Sequence, residues 1–252
     1  MHDPDASRDF GDIAARYAAL RPAYPPDLFA FLLDRLEGAR ERVVDLGAGS
    51  GQASRALVQH FAHVAAVEPD ARMLAHLDAP VAEKLNLPAE EADFSPGSID
   101  AVIAATSFHW MDQERVCANV ARWLRPGGVF FPFLYTPFAP QGPAQANYER
   151  HWRLWAPYRD RRLGAKADYS RPIRDSGAFD KIEMFSSRIT ARLSPKEMTG
   201  LLATASYARA YMAQCGDEQA YLHALETELT AACETIEVVF PLGGVLAVRR
   251  SD

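Results

Sequence analysis

The sequence predicts an α/β fold: a doubly wound, mostly parallel sheet of about seven strands. First, an apolar strand runs directly into a glycine-dense turn at residues 43–51. Second, strand-like and helix-like segments alternate from residue 42 to about residue 135, which is typical of a parallel sheet with helices on both faces. Third, the 252 residues are 48% hydrophobic and 24% charged, enough to form the core of one large domain.

The elements are predicted in this order. A helical entry or lid at residues 10–40 precedes a ligand-binding core at residues 41–135. Within that core we expect strands at 42–46, 63–68, 81–86, 100–105 and 129–135, and helices at 52–61, 70–78 and 112–124. The strand at 81–86 has the weakest pattern.

The pattern changes after residue 135. Prolines concentrate in residues 136–142, and Tyr148, Trp152, Trp155 and Tyr158 follow at helical spacings of three and four. We therefore predict a helical cap insertion at residues 136–180, whose aromatic face either packs a core or lines a pocket. Residues 181–252 are expected to complete the sheet of a single domain, with strands at 181–190 and 236–248 around a helical stretch from 195 to 230.

The glycine-dense turn predicts a nucleotide-cofactor site. Gly47 and Gly49, with the small Ala48 between them, let the backbone turn sharply and approach a ligand closely. The dinucleotide fingerprint requires a third glycine at position 52, which is Gln52 here. The spacing therefore argues against a bound pyrophosphate.

A second apolar segment ends in Glu68 and Pro69, 23 residues after Asp45. A carboxylate at the end of the second strand is placed to accept hydrogen bonds from ribose hydroxyls. The alternative is that Glu68 caps the next helix.

The pattern Asp45-x-Gly47-x-Gly49-x-Gly51 resembles the first motif of class I S-adenosylmethionine (SAM)-dependent methyltransferases. Residues 98–110 resemble their fourth strand and the His-Trp pair after it, and residues 123–130 resemble their Leu-x-Pro-Gly-Gly turn and fifth strand. Residues 17–25 resemble the Tyr-x-x-x-Arg-Pro-x-Tyr-Pro entry segment of the type 11, trans-aconitate-methyltransferase-like subgroup. These matches cover roughly residues 10 to 135.

The resemblance implies a Rossmann-like sheet with an antiparallel last strand, and SAM as cofactor with S-adenosylhomocysteine (SAH) as product. Asp45 would orient the glycine loop or bind the ammonium group of the cofactor, and Met73 would cover its adenine. Pro88 stands where relatives carry an aspartate, so the adenine contact passes to the Ala89 amide. The implied cofactor-binding residues are Tyr17, Arg21, Asp45, Gly47, Ala48, Gly49, Glu68, Pro69, Met73, Ala89, Glu90 and Thr106.

Arg21 is expected to pair with the cofactor carboxylate, since a guanidinium matches a carboxylate with two parallel hydrogen bonds. Tyr17 and Tyr24 would then form a lid, unless this segment only packs the entry helix. His109 is the candidate general base because its ordinary pKa lies near physiological pH. The candidate substrate pocket consists of Tyr24, Trp110, Trp152 and Trp155.

Charge and composition limit the kinds of molecule that this protein is expected to bind. A net charge of −6 argues against nucleic-acid binding, which depends on clustered Lys and Arg, so we expect a small-molecule methyl acceptor. No apolar run approaches the roughly 18 residues of a membrane span. Three scattered cysteines lack metal-binding spacing and indicate reduced thiols in the cytoplasm, and we expect no metal. We also expect a monomer or homodimer.

The sequence therefore predicts a SAM-dependent methyltransferase that methylates an oxygen or nitrogen of a small molecule, with a carboxylate among the acceptors that the subgroup implies. One alternative is a non-catalytic SAM- or SAH-binding regulatory protein. A nicotinamide-dependent oxidoreductase is disfavoured by Gln52.

Overall fold

The computed structural model of the protein describes residues 20, 22–135, 138–160 and 168–251. Within these residues, eight strands form one sheet in the order β3-β2-β1-β4-β5-β8-β6, and β7 pairs with β8 along the whole length of β8. The strands are β1 Arg42–Leu46, β2 His63–Val67, β3 Glu83–Leu85, β4 Ile99–Ala105, β5 Leu124–Tyr135, β6 Ala139–Pro140, β7 Phe179–Leu193 and β8 Ile236–Arg249.

Strand directions agree with the prediction. Strands β1 to β5 pair in parallel, whereas β8 runs antiparallel to β5, β6 and β7. The predicted α/β class, with its doubly wound sheet and antiparallel last strand, is confirmed.

The helices alternate with the parallel strands and then cluster after β5. They are α1 Pro26–Leu33, α2 Gln52–Leu57, α3 Ala71–Ala75, α4 Gln113–Trp123, α5 Gln145–Trp155, α6 Ser170–Asp175, α7 Pro195–Leu202, α8 Ser206–Met212 and α9 Glu218–Ala232. Short 3₁₀ turns occupy Ala89–Glu91, Phe108–Trp110, Gly142–Ala144 and Ala156–Tyr158. The predicted helical stretch from 195 to 230 is thus three helices, and α2 and α3 are shorter than expected.

Strand β5 begins five residues before its predicted start at 129. Ile99 pairs with Leu124 and Ala101 with Val129, so two steps along β4 match five along β5. The Pro-Gly-Gly turn therefore lies inside β5 as a bulge, where Gly127 adopts a φ of +74°.

Alternate residues of the central strands face two separate cores, as the pleat of a sheet requires. Val43, Ile103 and Phe131 pack on one side with α1 and the cap helices. Val44 and Phe130 pack on the other side with α4 and α6. In the described part of the chain, no helix is long and apolar enough to cross a membrane.

The two halves of the predicted cap insertion lie on opposite sides of the sheet. Helix α5 packs against α9, where the Asn147 amide donates to the carbonyl of Glu228 at 3.0 Å. Tyr169 and Ile173 instead join the core under α4. The cap is therefore built from α5 together with α7, α8 and α9, which the sequence had assigned to the completion of the sheet.

Candidate functional site

A cavity of about 800 Å³ opens at the carboxyl ends of β1, β2 and β4. This is where a doubly wound sheet binds its ligands, because the strand order reverses there. The loops that follow the three strands supply one wall, and the cap and β8 supply the other. Its lining residues include Gly47, Ala48, Gly49, Ser50, Glu68, Pro69, Met73, Ala89, Glu90, Thr106, His109, Trp110, Tyr135, Phe138, Arg159, Tyr169 and Tyr207.

The glycine loop runs along this cavity in a conformation that favours glycine. Gly47 has a φ of +67° and Gly49 a φ of +57°. A Cβ on Gly47 would lie 2.5 Å from the Ser107 Cβ, so a side chain there cannot be accommodated without movement. The amides of Gly47 and Ala48 both donate to the Val67 carbonyl, which ties the loop to the end of β2.

Glu68 links two of the loops. Its Oε2 accepts a hydrogen bond from the Gly49 amide at 2.8 Å, and its Oε1 accepts from the Asp70 amide at 2.9 Å. The residue is only 8% exposed, and its burial raises the pKa of the carboxyl. Each carboxylate oxygen has two lone pairs, so Glu68 retains acceptor capacity toward the cavity that it lines. The helix that follows is capped by Asp70, whose side chain accepts from the Arg72 amide, and not by Glu68.

Asp45 lies beneath the loop and not at the cavity wall. It is fully buried, and its Oδ2 accepts from the Ser54 hydroxyl at 2.6 Å. Burial raises its pKa to about 6, and its Oδ1 has no hydrogen-bond partner among the described residues. Of the two expected roles, this position suits orientation of the loop and α2, because the carboxylate reaches Ser54 and not the cavity.

The residues expected on the adenine side all line the cavity. They are Pro69, Met73, Ala89 and Glu90, and Pro88 lines it with them. The Glu90 carboxylate accepts from the Asp112 amide at 2.6 Å, which fixes the 3₁₀ turn against α4. Pro88 precedes this turn and supplies no side-chain cap to it.

Thr106 and Tyr24 close the site at the end of β4. Thr106 has a φ of +56°, which is rare for a β-branched residue and stores strain of a kind that clusters at functional sites. The Tyr24 hydroxyl lies 3.2 Å from the Thr106 Oγ1, and its ring stacks on Tyr135 at 5.1 Å. The Tyr135 hydroxyl donates to the Pro22 carbonyl at 3.0 Å, so the entry segment is fastened over the sheet.

His109 and Trp110 follow Thr106 along the chain and form a further part of the cavity wall. They lie in the 3₁₀ turn Phe108–Trp110, and both line the cavity. His109 is 1% exposed, and its Nδ1 is 2.8 Å from the hydroxyl of Tyr169. His109 is therefore a buried, hydrogen-bonded group that reaches the ligand space.

Trp152 and Trp155 do not line the cavity, contrary to the substrate pocket expected from sequence. Trp155 is fully buried, and its indole N–H donates to the Tyr221 hydroxyl at 3.0 Å within the cap. Trp152 meets Tyr207 edge to face at 5.2 Å, and Tyr207 lines the cavity in front of it. Helical spacing identified one face of α5 correctly, but that face packs the cap.

Two expected ligands, Tyr17 and Arg21, lie outside the described residues. Several lining residues were missed by sequence reasoning, among them Tyr169, Tyr207 and Phe138. They come from the cap and the segment before α6, far along the chain from the glycine loop, and no motif marks them. Ser50 had a signal, because it lies within the glycine motif itself.

No cluster of metal-ligating side chains is found among residues that the structure describes. What the site offers instead is a buried carboxylate with acceptor capacity, a close-approaching backbone loop and an aromatic wall. Such a cavity can bind a nucleoside through its hydroxyls and leave room for a second small molecule, since its volume lies within the range of small-molecule sites.

Comparison with known proteins identifies related chains. A family model described as a methyltransferase domain matches residues 44–131. An uncharacterized methyltransferase of Mycobacterium tuberculosis is 41% identical over 126 residues, which are 49% of this chain and 51% of that one. Trans-aconitate 2-methyltransferase of Deinococcus radiodurans is 32% identical over 157 residues, 61% of this chain and 54% of that one. The chain thus aligns with about half the length of these curated relatives.

Among solved structures, a proposed type II methyltransferase from Anaeromyxobacter dehalogenans superposes with a TM-score of 0.74 at 29% identity. The match covers 90% of this chain and 97% of that one. The similarity therefore extends beyond residues 44–131 to the cap and the last strands.

Proposed function

Because this chain belongs to the class I SAM-dependent methyltransferases, we propose that it transfers a methyl group from SAM to an oxygen or nitrogen of a small-molecule acceptor. The observation that carries the proposal is the meeting of the glycine loop with Glu68 at one cavity. A carboxylate that is almost buried yet lines a ligand space is expensive to desolvate. Hydrogen bonds donated by a ligand would offset this desolvation cost of the Glu68 carboxylate.

The residues of the cavity fit this cofactor. Gly47 and Gly49 allow the backbone to approach the amino-acid part of the cofactor, and Glu68 would accept from its ribose hydroxyls. Pro69 and Met73, with the turn at Ala89, would enclose the adenine. These assignments follow from which residues line the cavity together.

When bound, the cofactor supplies an electrophilic methyl group on a sulfonium, so little further chemical activation is required. The chain's own contribution is then alignment of the acceptor and exclusion of water. Tyr135, Phe138 and Tyr207 provide an apolar aromatic wall for this purpose. Tyr24 closes that wall through its contacts with Thr106 and Tyr135.

We further propose a carboxylate as the acceptor. Arg159 is half-buried and lines the same cavity. A guanidinium recognises a carboxylate more strongly than it does a neutral group. The 32% identity with a trans-aconitate 2-methyltransferase supports the same acceptor class. We place this activity in the cytoplasm, which suits three cysteines that are all free thiols.

Calorimetric titration with SAH tests the cofactor. We expect micromolar binding to the wild type and a loss of about 1–3 kcal/mol in Glu68→Ala, because a buried acceptor is removed. Glu91→Ala is the matched control, since Glu91 is exposed and outside the cavity. Absence of binding at millimolar SAH would contradict the proposal.

A panel of carboxylic acids, amines and phenols, assayed for SAM-dependent methylation, tests the acceptor. For an acid substrate, Arg159→Ala should raise KM by about tenfold or more, as expected for a lost charge-assisted hydrogen bond, while Arg153→Ala should not. Arg153 is exposed on the cap helix and outside the cavity. Tight SAH binding without methylation of any acceptor would favour a non-catalytic SAM-binding protein.

A further inference from the structure

The cavity continues across the sheet beyond the residues expected to bind the cofactor. Those that the structure describes lie in or after β1, β2, β3 and β4. Further lining residues lie on the other side of β4, and we call them the apolar strip: Leu134 of β5, Gly243 and Val245 of β8, and Met184 of β7. The Thr106 amide donates to the Phe133 carbonyl at 2.7 Å, so the strip begins level with the end of β4.

The apolar strip occupies one face of the sheet. Leu134 pairs with Gly243, and Met184 pairs with Val245. Side chains directly opposite each other on neighbouring strands point to the same face, and Leu134 and Val245 belong to the core on the α4 side. Toward β7 this face becomes accessible, because Leu134 and Gly243 are half-buried and Met184 is 67% exposed. The strip is therefore an apolar surface that is continuous with the cavity.

Gly243 leaves a depression in this surface that the protein itself does not require. At the adjacent Gly244, which faces the opposite core, an added Cβ would lie 2.7 Å from a Phe131 ring carbon, so a larger residue does not fit. At Gly243 the nearest described atom is the Phe185 carbonyl oxygen at 4.0 Å, and its φ lies outside the left-handed region. A glycine within a strand lowers stability, and it often marks a close approach of a ligand to the backbone.

We propose that the apolar strip binds the apolar part of the methyl acceptor. The acceptor is then an amphipathic acid, whose chain or ring lies over Gly243 while its reacting carboxylate lies at the end of β4. This inference rests on the proposed function and narrows its substrate class. Neighbouring strands are about 5 Å apart, so Gly243 is about 10 Å and Met184 about 15 Å across the sheet from β4. An acceptor that reaches them needs several carbons beyond its carboxylate, and the flexible Met184 side chain can adapt to their shape.

Calorimetry of straight-chain monocarboxylates with the SAH complex tests the inference without methyl transfer. A fully buried methylene tightens binding about fourfold, and a methylene with one side against the strip tightens it by less. We therefore expect octanoate to bind at least about tenfold more tightly than butanoate. Equal affinities, or no binding of octanoate to the SAH complex, would overturn the inference.

Carbon-13 labelling of the methionine methyl groups reports where octanoate binds. The chain has six methionines, and the signals of Met184 and Met212 are assigned by their loss in Met184→Leu and Met212→Leu. In the SAH complex, octanoate should shift the Met184 signal and butanoate should not. Met212 is buried in the cap outside the cavity, so its signal should stay unchanged. An unshifted Met184 signal in saturating octanoate would contradict the proposed position of the chain.

Gly243→Val fills the depression at a position whose backbone accepts any residue. It should raise the Kd of octanoate by about tenfold and leave the Kd of SAH unchanged, because none of the expected cofactor ligands lies on β8. Thr190→Val is the control and should change neither constant, since Thr190 is exposed on the same face of β7 and outside the cavity. Octanoate binding that survives Gly243→Val would also overturn the inference.

The two proposals fail in different ways. If the wild type does not bind SAH, the proposed function itself is wrong. If it binds SAH but does not distinguish octanoate from butanoate, the proposed function stands and only the role of the apolar strip is refuted.

Discussion

The carboxylate of Glu68 accepts a hydrogen bond from the amide of Gly49 at 2.8 Å and thereby fastens the glycine loop to the end of the second strand. The other oxygen of the same carboxylate binds the Asp70 amide. One side chain therefore organises the two loops that bound the cavity before any ligand arrives. Such preorganisation reduces the ordering cost of binding.

Loss of this link should cost stability as well as affinity. In Glu68→Ala the amides of the half-buried residues Gly49 and Asp70 lose their acceptor, so we expect a decrease of about 1–3 kcal/mol in the free energy of unfolding, measured with urea in the absence of ligand. Hydrogen exchange at the Gly49 amide should accelerate. Unchanged exchange at Gly49 would mean that the loop is held by other contacts.

A side chain at Gly47 should be far more damaging than one at Gly97. Both glycines have nearly the same backbone, with φ of +67° and +66°, but a Cβ at Gly97 meets nothing within 4 Å. Gly97→Ala should therefore lower the unfolding free energy only by the cost of placing a Cβ on a left-handed backbone, about 1–2 kcal/mol. Gly47→Ala adds a collision with Ser107 and should also abolish SAH binding. Equal effects of the two substitutions in urea unfolding and calorimetry would refute the steric argument.

Asp45 should make the protein less stable as pH rises from about 4 to about 7. Its pKa is raised from 3.8 to about 6 by burial, so the stabilising protonated form is complete at low pH and is lost through about pH 6. Asp45→Asn stays neutral and still accepts from Ser54. Between pH 4 and pH 7, the unfolding free energy of Asp45→Asn should rise by roughly 2 kcal/mol relative to that of the wild type.

The exposed Asp93, paired with Arg122 at the surface, supplies the control Asp93→Asn. The difference in unfolding free energy between Asp93→Asn and the wild type should not rise between pH 4 and pH 7. A flat difference for Asp45→Asn would show that Asp45 is ionised in the folded protein at pH 4 already.

The cap should depend on Tyr221. This hydroxyl accepts from the buried Trp155 indole N–H at 3.0 Å and lies 2.6 Å from the His151 Nδ1, while the His151 Nε2 lies 2.9 Å from Glu228. Tyr221→Phe leaves two buried groups without a partner, so we expect a loss of about 1–3 kcal/mol of unfolding free energy and a change in tryptophan fluorescence.

Tyr158→Phe is the matched substitution, because the Tyr158 hydroxyl bonds Gln214 at an exposed site. It should change the unfolding free energy by no more than about 0.5 kcal/mol. If the two variants were equally stable, the hydrogen-bonded chain in the cap would not contribute to folding.

Much of the sheet was predictable because its signals are local. Periodicity located β1, β2 and β4 within a residue or two, and the glycine motif placed the cavity at their carboxyl ends. Motif spacing also singled out Glu68, which the structure places beside Gly49. These inferences needed only the rules by which parallel strands and their loops are arranged.

The boundary errors have local causes that the sequence did not reveal. The Pro-Gly-Gly segment reads as a turn, yet it is a bulge within β5 because Leu124 already pairs with Ile99. The aromatic face of α5 has a spacing that fits a packed core and a pocket lining equally well. Its neighbours in the folded protein distinguish the two, because Tyr207 lies between Trp152 and the cavity.

The amino-acid sequence alone was enough to identify the fold class, the glycine loop and the carboxylate at the end of the second strand, since each depends on neighbours a few residues away or on a fixed motif spacing. Which distant side chains complete the site depends on how the whole chain packs. Tyr169 is 60 residues from His109, and no periodicity relates them. Their contact exists because the segment before α6 returns to the opposite face of the sheet from the cap and packs under α4, a choice made by burial of apolar surface over the whole domain.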